Sequence, residues 1–146
     1  MAGSNYVLDK GFLVLSTYNS SAAAGVTAFR VVKVATTGTI DLATNATATS
    51  GNVGVVQENV DAAKVATGKA VADVRLLGIS KVVVQTATSV TIGARVMCGS
   101  AGGAIVAATA ASEVLGIVVG SNASAGTISA GDIVDVLLTP KVQFAV

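Results

Sequence analysis

From Val26 onward the chain is a succession of short apolar runs cut by Gly, Asn, Ser and Thr. Runs of this length, rich in Val and Ile and bounded by turn residues, predict strands rather than helices. They place strands at residues 28–35, 39–43, 53–58, 70–77, 80–86, 94–98, 104–107, 114–119 and 132–139, with a further one at 12–17. Residues 61–67 are Ala-rich and closed by Gly68, which suits either a short helix or a loop. Pro140 follows the last run, where it ends a strand without removing a ladder bond from its middle. Residues 1–11 and 16–25 show no sustained period, so 1–25 is read as an N-terminal arm or peripheral strand and 26–146 as a single β domain.

Laid on itself, the chain repeats. Val53-Gly54-Val55-Val56 matches Leu115-Gly116-Ile117-Val118, and Val71-Ala72-Asp73-Val74-Arg75-Leu76 matches Ile133-Val134-Asp135-Val136-Leu137-Leu138, both 62 positions apart. Upstream, Phe29-Arg30-Val31-Val32 resembles Ala94-Arg95-Val96-Met97 at 65, a difference that a three-residue change in loop length absorbs. Sequence rich in Val and Gly can align with itself by chance, but two separate blocks sharing one offset argue for a duplication. The expected fold is all-β: a small β-barrel or sandwich with a pseudo-twofold internal repeat, halves at about 26–88 and 89–146, and an extended N-terminal arm.

Composition narrows the function. Hydrophobic residues make up 52% of the 146, yet aromatics only 3%, with no Trp, so Ala, Val, Gly and Thr carry the fold. Burying one Val contributes about 1.5 kcal/mol. So thin a core suggests help from neighbouring subunits. No apolar run reaches the roughly 18–20 residues of a spanning helix, so no membrane partner is expected. Nine basic and eight acidic residues, scattered singly for a net charge of +1, provide no footprint for a nucleic-acid backbone. Cys98 is the single cysteine, which excludes an internal disulfide. At the end of a predicted strand it reads as a small buried hydrophobe rather than a reactive thiol.

Catalytic constellations fail in turn. Without histidine, Ser-His-Asp, Cys-His and imidazole zinc sites are excluded. The acid pairs Glu58/Asp61 and Asp132/Asp135 fit no recognised motif, and Asp73 and Asp135 are expected to face solvent or to pair with Arg75 or Arg30. Gly68-Lys69-Ala70 lacks the rest of a P-loop, and residues 99–103 hold no dinucleotide fingerprint. Asn45-Ala46-Thr47 and Asn122-Ala123-Ser124 match the glycosylation triplet, a chance outcome in sequence so rich in these residues. The chain is therefore expected not to be an enzyme, with no catalytic, cofactor or metal-binding residue and no small-molecule substrate. A carbohydrate-active enzyme or lectin would need a platform of aromatics that two Tyr and three Phe scarcely supply.

The order Thr91-Ile92-Gly93-Ala94-Arg95-Val96, Ala104-Ile105-Val106-Ala107-Ala108, Val114-Leu115-Gly116-Ile117-Val118 and Ser129-Ala130-Gly131-Asp132-Ile133-Val134-Asp135-Val136 resembles tailed-bacteriophage capsid decoration, or cement, proteins. The first half repeats it more loosely, and the resemblance spans roughly residues 26–140. It implies a virion protein made in the host cytoplasm. Such a protein binds the outer surface of the expanded head as a homo-oligomer, commonly a trimer, and staples neighbouring major capsid protein subunits. It also implies an N-terminal arm reaching the capsid, for which Tyr6, Val7, Leu8, Phe12 and Leu13 are the candidate anchors. Aromatic residues suit such an interface. Alternatively, Phe12 and Leu13 cover one end of the barrel. The other reading is a different virion or surface β protein, such as a tail tube, head fiber or pilus-like subunit.

Overall fold

The structure is a computed structural model that describes residues 8–14, 25–35, 38–44, 51–85, 90–106, 114–123 and 127–139. In chain order they form β1 (Leu8–Leu13), β2 (Val31–Val34), β3 (Ile40–Leu42), β4 (Asn52–Val56), α1 (Ala62–Ala66), β5 (Val71–Val83), β6 (Arg95–Cys98), β7 (Ala104–Val106), β8 (Val114–Ser121) and β9 (Ile133–Leu138). Among the described residues the fold is all-β apart from this one short helix. Asp61 caps α1 by accepting from Ala63 N at 2.7 Å, and Gly68 follows its end with φ +70°.

The strands run β3-β2-β4-β5-β9-β8-β6-β7 across one antiparallel, strongly curled sheet, with β1 added on β5. That order reads the same from both ends once β2, β3, β4 and β5 are exchanged for β6, β7, β8 and β9. The registers agree as well. Val55 faces Arg75 and Val56 faces Val74, while Ile117 faces Leu137 and Val118 faces Val136, each 62 positions later. Both β2·β4 and β6·β8 shift register at the same place, after Val32 and after Val96.

The equivalence of Val32 with Val96 corrects the upstream alignment. The offset there is 64, not 65, so Val31 answers Arg95 and Phe29 answers Gly93. A slip of one residue in a strand exchanges its two faces, and two Val-rich words gave no way to see it.

Strand β5 carries the repeat through its own middle. The sequence suggested two strands broken near Gly78; the structure has one strand of 13 residues, with Gly78 at φ +91°. Its first part pairs with β1, Leu13 facing Val71 and Phe12 facing Ala72. Its second part pairs with β9, Val83 facing Ile133 and Val82 facing Val134. Thus β1 and the second part of β5 hold the same position in successive repeats. The N-terminal strand, expected at 12–17, lies at Leu8–Leu13 because its partner positions repeat those of the β5·β9 ladder. Each repeat curls until its ends meet through one parallel bridge, Val14 to Ile40 in repeat 1 and Val84 to Ala104 in repeat 2.

Two cores result. Val14, Val26, Val32, Ile40, Leu42, Val56, Val65 and Val74 fill repeat 1. Val82, Val84, Val90, Val96, Cys98, Val118, Val134 and Val136 fill repeat 2, joined by Val31, Ala43 and Val55 from repeat 1. The repeated glycines follow from strand crossing. A Cβ on Gly54 would meet the carbonyl oxygen of Arg75, and one on Gly116 the carbonyl oxygen of Leu137.

Candidate interaction surface

Cys98 is buried at 0% exposure with Sγ 3.1 Å from Gly99 O, inside the core of repeat 2. Among the described residues no three acidic, His or Cys side chains gather to hold a metal ion.

On the outward face of repeat 1, Arg75, named from sequence as a possible partner of Asp73 or Asp135, pairs instead with Asp9. Its Nε and Nη2 donate to the two carboxylate oxygens of Asp9 at 2.9 and 3.1 Å, and Nη1 donates to Ile79 O at 3.0 Å. The hydrogen bond to Asp9 holds the guanidinium above its ordinary pKa, its partial burial opposing and the carboxylate charge adding to the effect. Asp73 instead faces Gly11 across the ladder, and Arg30 Nη1 donates to Ala101 O at 3.1 Å. Asp73 is exposed, the first of the two expected outcomes, while the partner of Arg75 is Asp9, in a rung the sequence did not register.

At the equivalent rung of repeat 2 the charges are gone. Ile79 and Leu137 replace Asp9 and Arg75, and stand 46% and 42% exposed. Ile117, opposite Leu137, is half-buried, and Arg95, opposite Ile117, is exposed. A groove of about 470 Å³ is lined from both repeats by Asn52, Val53 and Leu76 and by their counterparts Val114, Leu115 and Leu138.

Of the candidate anchors, Tyr6 and Val7 lie outside the described residues, as does the side chain of Leu8. Phe12 packs against the repeat 1 core with Lys10 Nζ 5.4 Å from its ring centre, while Leu13 is half exposed beside Val71.

No family description and no curated protein sequence matches this chain. A solved structure does: the N base of head fiber gp8.5 of bacteriophage phi29, at a TM-score of 0.57, 15% identity, and coverage of 94% of this chain and 98% of that one. The two share a fold.

The likeness to that base extends over both repeats, so the tandem arrangement belongs to the shared architecture. Sequence reasoning missed one residue of note, Phe29, which has φ +65°, the one positive value at a non-glycine among the described residues. Its N–H donates to Val56 O at 2.7 Å, as Gly93, at φ +88°, donates to Val118 O at 2.8 Å. The correct offset of 64 would have set a phenylalanine against a glycine and exposed the anomaly.

Proposed function

We propose that this chain is a structural protein of a tailed-phage virion, attached to the outer surface of the expanded head through the major capsid protein. The observation that supports this most is the full-length likeness to a head-fiber base. The module acts by binding alone, as a homo-oligomer for which a trimer is favoured, and takes no substrate or cofactor. Within this reading the base of a head fiber is preferred to a cement protein, because the likeness is to such a base. The cement role keeps the support of the repeated Leu-Gly-Ile pattern of β8 and its counterpart in β4.

Purified chain added to expanded heads that lack it is expected to co-sediment with them and to appear on their outer surface by electron microscopy. Binding that leaves the melting of the head unchanged supports a fiber base, and binding that raises it supports a cement protein. Chain that ignores heads and labels tails instead overturns the proposal.

A further inference from the structure

We draw no further inference here: the strongest candidate, the apolar groove lined by Val53 and Leu76 of repeat 1 and by Leu115 and Leu138 of repeat 2, carries no proposal because nothing in the structure shows what covers it.

Discussion

Phe29 holds a backbone conformation that costs an L-residue about 1–2 kcal/mol, at a position where the second repeat uses Gly93. Among the described residues its half-buried ring packs into neither core, which leaves that cost little offset. Phe29→Gly is therefore expected to raise unfolding stability by roughly 0.5–1 kcal/mol, after the extra backbone freedom of glycine is subtracted, as measured by urea titration. A loss of stability would mean that the ring supports the fold. Arg75 acts the other way: because Asp9 raises its pKa, the pairing contributes around neutral pH and, on the alkaline side, is lost only as pH rises through the folded value in strong alkali. As a part-exposed pair it is worth about 1 kcal/mol or less.

At the scale of the element, crossing geometry decides where side chains are allowed. Because Gly54 and Gly116 each back onto a carbonyl of the neighbouring strand, Gly54→Ala and Gly116→Ala are expected to destabilise by similar amounts, on the order of 2 kcal/mol or more each. Thermal melts of the two variants compare them directly; a harmless alanine at either would show that the strands have room to separate. These glycines are also why the repeat was legible. Val53-Gly54-Val55-Val56 and Leu115-Gly116-Ile117-Val118 kept the residue that geometry demands, and the alternating Val and Asp of β5 and β9 kept their faces. What stayed illegible has physical causes too. Gly78 looked like a break because glycine ends strands as readily as it bends them, and the structure uses it for a bend inside β5. The ion pair escaped because Asp9 lies 66 residues from Arg75, in a segment without period, and only the ladder brings them together. The exposure of Leu137 left no mark on the sequence, since it reads as a strand residue whether or not solvent reaches it, and Ile79 fell in the supposed break between two strands.

On the scale of the whole molecule, two cores share a wall. Val31, Ala43 and Val55 belong to repeat 1 by strand and to repeat 2 by packing, and β5 is continuous through both. Neither core is expected to melt alone. Val56→Ala in the first and Val118→Ala in the second, both nearly or fully buried, are each expected to cost roughly 2 kcal/mol and to lower the same single transition. Calorimetry checks this against circular dichroism: two resolved transitions, one sensitive to each variant, would show instead that the repeats unfold as separate units.

The passage of β5 from one repeat into the next leaves no joint between them. Had an ancestral gene coding for a single barrel been doubled, the end of its last strand must have fused straight onto the first strand of the copy, and β5 is the scar of that splice. Repeats so joined have no hinge at which one could swing or be trimmed away, so the orientation of each is set rigidly by its twin.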